Sequence, residues 1–341
     1  MLEVAMMLRI SLTTPSFQQA AYLEECLRSV HDQGYTALEH LVVDGGSTDG
    51  SREIIMAHAD QLAWWCSEKD QGQSDALNKG LARATGDLFG WLNSDDMLLP
   101  GTLHRVADAF EQDPQLVVFG GRSLLRSTAG DTLPERVVDA SDERRFMRNP
   151  GFDQPSTFFR MDAVREVGGL ETRLHYVMDY ELVLRLAFHF GTDRMRFVDE
   201  RLAVARLHDD CKTVRYQRRF LDERATVLHG VCLSAGREDL AGVLALGHHI
   251  SPGIRPMPVP EAKQGLAKEM VTHFLLKWHH TIHVREQFSM MRAFRRRIDI
   301  SDVPLDDAER ARLEKLDRQL KVPGWLAFRA GRKLRHLRGS R

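Results

Sequence analysis

Hydrophobic positions in the first 120 residues alternate between two rhythms. Short, nearly unbroken apolar runs at 8–13, 38–43, 62–65, 88–92 and 116–119 have the length of buried strands. Between them apolar residues return at helical spacing. Leu23, Cys26, Leu27 and Val30 sit at i, i+3, i+4 and i+7. Ala76, Leu77, Leu81 and Ala84 share one side of a second predicted helix, over 74–84. Further helices are predicted over 51–59 and 102–111, and Pro15 ends the first strand. Strands alternating with helices of this length imply an α/β fold built on a mostly parallel sheet with right-handed crossovers.

After Gly120-Gly121 the rhythm changes. Residues 122–138 read as a hairpin or irregular insertion, 156–159 as a strand, and Gly168-Gly169 as a turn. Leu182, Leu186 and Phe190 mark a helix that starts at Asp179. Beyond Tyr216 the pattern is almost wholly helical, interrupted by Pro252, Pro256, Pro258 and Pro260. The expected organisation is an α/β domain over 1–215, with halves 1–121 and 122–215, followed by a helical region over 216–341.

Composition narrows the function. An apolar fraction of 43% in 341 residues supports a well-buried core. A net charge of −1 gives no overall field toward nucleic acid, so none is expected as a partner. Cys26, Cys66, Cys211 and Cys232 are far apart and suit a reducing compartment. No apolar run reaches membrane-spanning length, and residues 1–7 lack the pattern of a secretion signal. The expectation is a cytoplasmic chain. No acid follows Asp317, and the segment 324–338 mixes apolar and basic residues at near-helical spacing. It suits peripheral contact with an anionic membrane surface, and equally a solvated helix end. His279 and His283 have one-turn metal spacing but no carboxylate beside them, so a packed or exposed helix face is the better reading.

The chemistry concentrates at strand ends. Asp44-Gly45-Gly46-Ser47-Thr48-Asp49-Gly50 follows the second apolar run, and Asn93-Ser94-Asp95-Asp96 follows the fourth. Acids gathered at the carboxyl ends of strands commonly hold a metal ion or ribose hydroxyls, and that edge is where open α/β sheets bind ligands. A third polar segment, Asp70-Gln71-Gly72-Gln73-Ser74-Asp75, opens a predicted helix, where anions are favoured.

The order and spacing of these clusters resemble the family 2 glycosyltransferases of the GT-A fold, a Rossmann-like nucleotide-diphospho-sugar transferase architecture, over roughly residues 8–213. The resemblance implies a nucleoside pocket lined by Thr14, Ser16, Asp44, Gln73, Asp75 and Asp95. It implies a divalent cation, Mn²⁺ or Mg²⁺, at Asp96, with His208 completing its shell. Asp95 and Asp96 divide their roles because adjacent extended residues face opposite ways. Lys212 would pair with phosphate, while Gln154 and Ser156 would meet sugar hydroxyls. Asp179 aligns with the family's base. Relatives often carry two acids where this chain has Asp44-Gly45, and Glu-Asp where it has Met178-Asp179; Cys211 stands where Ser is usual.

Each residue also has an ordinary alternative: helix caps for Asp49, Ser51 and Asp179, a solvated face for Lys79, and an unremarkable surface histidine for His208. The implied activity is inverting transfer of a sugar, from a UDP-sugar by preference, to a hydroxyl of a glycan or lipid-linked acceptor in bacterial-type surface polysaccharide or glycolipid synthesis. A non-catalytic sugar-nucleotide-binding scaffold and a sugar nucleotidyltransferase are the competing readings. The second is disfavoured because residues 13–18 lack a glycine- and arginine-rich loop.

Overall fold

The structure is a computed structural model that describes residues 7–134, 138–208 and 211–330. The chain divides into two compact units, one of residues 1–146 with 150–217 and the other of residues 147–149 with 218–341.

The first unit contains strands β1 (Ile10–Ser16), β2 (Leu38–Asp44), β3 (Trp64–Ser67), β4 (Leu88–Trp91), β5 (Met97–Leu98), β6 (Val118–Ser127), β7 (Gly130–Thr132), β8 (Thr157–Arg160) and β9 (Met195–Arg206). Helices α1 (Ala20–His31), α2 (Ser51–Ala57), α3 (Gln73–Arg83), α4 (Thr102–Gln112), α5 (Glu143–Arg148), α6 (Met161–Glu166), α7 (Met178–Phe190) and α8 (Lys212–Arg215) connect them. The strands form one sheet in the order β3-β2-β1-β4-β8-β6-β9-β5, with β7 paired to β6. β1 is parallel to β2 and β4, β2 to β3, and β6 to β9, whereas β8 is antiparallel to both β4 and β6. β1, β2, β3, β4, β6 and β9 therefore run the same way, as the alternating pattern implies for a mostly parallel sheet.

All seven residues of β1 are buried, including Thr13, Thr14 and Ser16. Ile10, Leu12, Leu88 and Phe119 pack with Cys26 and Val30 of α1 and with Val106 and Phe110 of α4. Leu23 and Leu27 face a smaller cluster with Val42 and Ile55. α1 buries one stripe because its apolar residues recur at helical period.

Several boundaries differ from the sequence pattern. β3 begins two residues later than expected, and α2 stops at Ala57 before a 3-10 turn at Ala59–Gln61. The largest difference lies after Gly120-Gly121. β6 does not end there; it runs to Ser127, and only its end turns back into the hairpin with β7. The glycines do not break the strand but make room across it. A Cβ at Gly120 would lie 2.7 Å from the Phe197 ring, and one at Gly121 2.6 Å from Leu202. Both obstacles belong to β9, which the periodicity did not reveal. β9 carries Asp199, Glu200 and Arg201 in mid-strand, exposed where its register with β6 shifts, so apolar alternation is lost.

The second unit is helical over its described residues: α9 (Gln217–Ser234), which begins at its edge, then α10 (Glu238–Ala245), α11 (Leu266–His279), α12 (Arg285–Arg297) and α13 (Asp307–Leu320). The proline-rich stretch forms the loop between α10 and α11. Val231, Leu244, Met270, Phe274, Met291 and Phe294 are buried. His279 pairs with His248 across 3.0 Å in the interior, as a packed helix face, and His283 lies beyond the end of α11. Trp325 and Phe328 pack on Phe288, whereas the basic segment from 331 onward lies outside the described residues. No helix among the described residues is long and apolar enough to cross a membrane.

Candidate functional site

Parallel pairing in register places Ser16, Asp44 and Ser67 side by side at one sheet edge, with the end of β4 next to β1. The polar segments after β1, β2, β3 and β4 therefore converge without any long-range folding device.

Asp96 is the pivot. It is 5% exposed, its Oδ1 accepts the Arg206 amide at 3.1 Å, and its Oδ2 accepts from Asn93 Nδ2 at 3.3 Å. Burial, reinforced by the neighbouring Asp95 carboxylate, holds its carboxyl well above the ordinary Asp range. Asp95 turns the other way and meets His208 Nε2 at 3.1 Å. Asp95, His208 and Cys211 bring one donor atom each within 4.8 Å of one another. Tyr22 stacks on the His208 ring at 4.7 Å, and the Arg206 guanidinium lies 5.3 Å over Tyr22. A carboxylate and an imidazole are donors that suit a divalent cation, and Asp96, the adjacent residue, lies outside this group of three. The Cys211 thiol points to the Arg206 carbonyl at 3.1 Å, which occupies its proton.

A hydrogen-bonded chain extends from this pair. Asn93 accepts from Gln73 Nε2 at 2.6 Å and donates to Gln154 Oε1 at 3.2 Å. Gln154 in turn donates to the Trp91 carbonyl at 2.8 Å. Lys212 Nζ donates to Gln73 Oε1 at 2.8 Å and to the His175 carbonyl at 3.2 Å. Gln73, Asp96, Gln154 and Lys212 are thus joined through Asn93, and Asp95 carries the link to His208. Asn93 stood in the quoted motif without a role. The signal available was its place as the first polar residue after an apolar strand.

The remaining candidates have other surroundings. Thr14 Oγ1 lies 3.0 Å from His40 Nε2, and burial holds His40 neutral by pushing its pKa down to about 3. Ser16 Oγ is buried with no partner among the described residues. Asp44 is fully buried, and its two oxygens accept from the Gly46 amide (3.1 Å), the Ser47 amide (2.9 Å), Ser47 Oγ (2.5 Å) and Ser67 Oγ (2.6 Å). Asp75 accepts the Gln71 amide at 3.1 Å and faces Lys79, whose closer partner is Glu68 at 2.8 Å. Ser156 bonds the Gly121 and Asp153 carbonyls, both at 3.0 Å, and its hydroxyl is wholly internal. Neither Asp75 nor Ser156 is joined to the Asn93 network by these bonds. Asp179 is half-buried in the first turn of α7, and its Oδ1 accepts the Tyr180 amide at 2.7 Å. Asp209 and Asp210 lie outside the described residues.

The model of the family described as Glycosyl transferase family 2 matches residues 11–164. The chain is 32% identical over 181 residues to the PGL/p-HBAD biosynthesis glycosyltransferase of Mycobacterium bovis (strain BCG / Pasteur 1173P2), covering 51% of this chain and 68% of that relative. Its structure is similar to that of S. aureus TarS 1-349 in complex with UDP, with a TM-score of 0.59, 16% identity, and 95% and 92% of the two chains covered. It is also similar to the mannosyltransferase PcManGT from Pyrobaculum calidifontis in complex with GDP-Man and Mn²⁺, with a TM-score of 0.50, 18% identity, and 92% and 87% covered. The shared fold is the GT-A fold.

Proposed function

This chain belongs to glycosyltransferase family 2, and from that premise we propose that it is an inverting, divalent-cation-dependent enzyme that transfers a sugar from a uridine diphosphate donor to a hydroxyl. The observation that carries the proposal is the Asn93-centred network. It ties the end of β4, the start of α3 and the segment after β9 to one buried carboxyl, Asp96, which burial and Asp95 hold above the ordinary Asp range. Such a carboxylate, next to Asp95 and His208, is relieved of its electrostatic cost by a bound cation. The complexes of the structural neighbours with UDP, and with GDP-Man and Mn²⁺, support the same reading.

Asp96, Asp95 and His208 would hold Mn²⁺ or Mg²⁺, which when bound neutralises the departing diphosphate as a Lewis acid. Lys212, steered by Gln73, adds a cation on the phosphate side. Thr14 and the Ser16 hydroxyl, which has no partner among the described residues, face the nucleoside without adding charge, while Asp44 shapes the Gly46-Ser47 loop after the neighbouring strand. Asp179 takes the proton of the attacking hydroxyl. Acceptors are glycans or lipid-linked glycans of a bacterial surface. An enzyme working on the latter at the inner face of the membrane would be helped by the basic segment from 331 onward.

Binding and turnover test this directly. UDP should raise the melting temperature more with Mn²⁺ than without it, and Asp96→Ala should abolish the Mn²⁺-dependent increment. An increment unchanged in Asp96→Ala removes Asp96 from the cation site. Asp179→Asn should bind donor normally but lower turnover by roughly 10²–10⁴-fold. Normal turnover would assign the base elsewhere.

A further inference from the structure

We propose that the second unit carries a pocket for a phosphate monoester borne on an aliphatic chain, formed where α12 ends and α13 begins. The proposal goes beyond the transfer reaction and does not rest on the donor-site reading.

Three arginines in succession, Arg295-Arg296-Arg297, close α12. Successive residues face different ways on a helix, so they cannot all serve one purpose. Arg295 is committed to α13, where its guanidinium bonds both oxygens of Asp317, at 2.7 and 3.1 Å. Arg296 and Arg297 are exposed and have no hydrogen bond or ion pair among the described residues. Cations in a last turn complement the helix carbonyls, which would explain them on a flat surface. Here they border a cavity instead. An open-sided pocket of about 830 Å³, within the range of small-ligand sites, is lined by four arginines, the fourth being Arg310, and by one acid, Asp299.

The acids nearby are already engaged. Asp317 holds Arg295, Asp302 holds Lys268, and Asp307 holds Arg310 at 2.8 Å. Asp299 Oδ1 accepts the Ser301 amide at 2.9 Å. The surplus positive charge therefore falls at Arg296 and Arg297. Two guanidiniums present paired N–H donors that match phosphate oxygens in a way lysines would not.

The rest of the wall is aliphatic, with Ile300 and Val303 buried at the back and Leu313 contributed by α13. This wall is built before any ligand arrives. The Val303 amide donates to the Ile300 carbonyl at 3.1 Å. A capping box between Asp306 and Glu309, with bonds of 2.7 and 2.9 Å, fixes the start of α13. A free phosphate would use the guanidiniums and leave the aliphatic wall wet. A nucleic acid would call for stacking rings, and no aromatic residue lines the pocket among the described residues. An anion with an apolar extension satisfies both halves.

The test is calorimetric titration of the full chain at physiological ionic strength with four soluble probes: dihexanoyl phosphatidic acid, glycerol 3-phosphate, inorganic phosphate and dihexanoyl phosphatidylcholine. Phosphatidic acid should bind one to one. Glycerol 3-phosphate and inorganic phosphate, which lack the chains, should bind at least roughly ten-fold more weakly. Phosphatidylcholine, whose own cation cancels the phosphate charge, should not bind. Arg296→Ala with Arg297→Ala should weaken phosphatidic acid by roughly ten- to a hundred-fold, the value of hydrogen bonds to a charged group. Arg296→Lys with Arg297→Lys should restore only part of that loss. Both arginines are exposed, so the ligand-free melting temperature should not move in either double variant, which separates lost binding from lost folding.

Equal affinity for phosphatidic acid in the wild type and the double alanine variant would overturn the inference, as would no binding by the wild type. Equal affinity for phosphatidic acid and inorganic phosphate would overturn the aliphatic half. Several ligands per chain, undiminished in the double alanine variant, would assign the binding to other basic residues. None of these outcomes touches the donor-site reading, and a wild type that binds no nucleoside diphosphate would leave this pocket standing.

Discussion

Asp96 sets a pH dependence of its own. Its folded carboxyl is raised above the ordinary 3.8 by burial and by Asp95. The folded state therefore holds a proton that the unfolded chain has released. Its contribution to stability is full below the unfolded value and is lost as pH rises through the raised folded value. The cation-free protein should lose stability over that window. Mn²⁺, which competes with the proton, should stabilise more as pH rises. Asp96→Asn should flatten the metal-free slope and remove the Mn²⁺ increment together. Melting temperatures across pH with and without Mn²⁺ decide it, and a slope that survives in Asp96→Asn assigns it to another group. Asp96 was legible from the sequence because two acids after an apolar strand are a short local signal. Asn93 was not singled out, because its significance lies in what comes to meet it. Asn93 bridges side chains from positions 73, 96 and 154.

At the scale of elements, α7 shows how the residue proposed as the base stands on a helix anchored by an inert pair. Asp179 stands in its first turn, and two residues later Glu181 turns inward to pair with Arg185 at 2.5 Å, both side chains 2% exposed. The guanidinium also donates to the Gly169 carbonyl at 2.9 Å and to that of Val167, so the Gly168-Gly169 turn is tied to the helix. Glu181→Gln or Arg185→Met alone leaves a buried charge without its partner and should cost about 3–5 kcal/mol, with the double apolar replacement far milder. Denaturant midpoints of the two singles and the double measure this. Equal losses in all three would mean that packing, not charge, holds the turn. Helical and strand periods made this half of the molecule readable wherever one face is apolar throughout. They failed at β9, whose charged middle lies over a register shift, and at Gly120-Gly121, which read as a break although the residues are cut small to pass under Phe197 and Leu202.

Across the whole chain, acid should act in the opposite sense to its effect on Asp96, because each unit buries histidines that cannot take a proton. In the first unit His40 bonds Thr14 and His31, and burial together with His31 and His58 pushes its pKa down to about 3. In the second, His279 pairs with His248, and burial with that neighbour pushes it also to about 3, while Asp222 bonds the far nitrogen of His248 at 2.8 Å. The unfolded chain protonates both near 6.5 and the fold does not. The stability they confer is therefore present above that value and is lost as pH falls toward the folded values, by at most about 1.4 kcal/mol per pH unit for each group. Unfolding free energy should decline steeply from pH 6.5 to 4.5, with or without Mn²⁺, since neither histidine is a cation ligand. Replacing His279 by Gln should relieve the slope of the second unit's transition, and His40→Gln that of the first. A wild-type curve flat down to pH 5 would mean that these rings accept protons in place, and that the fold opens around them at little cost.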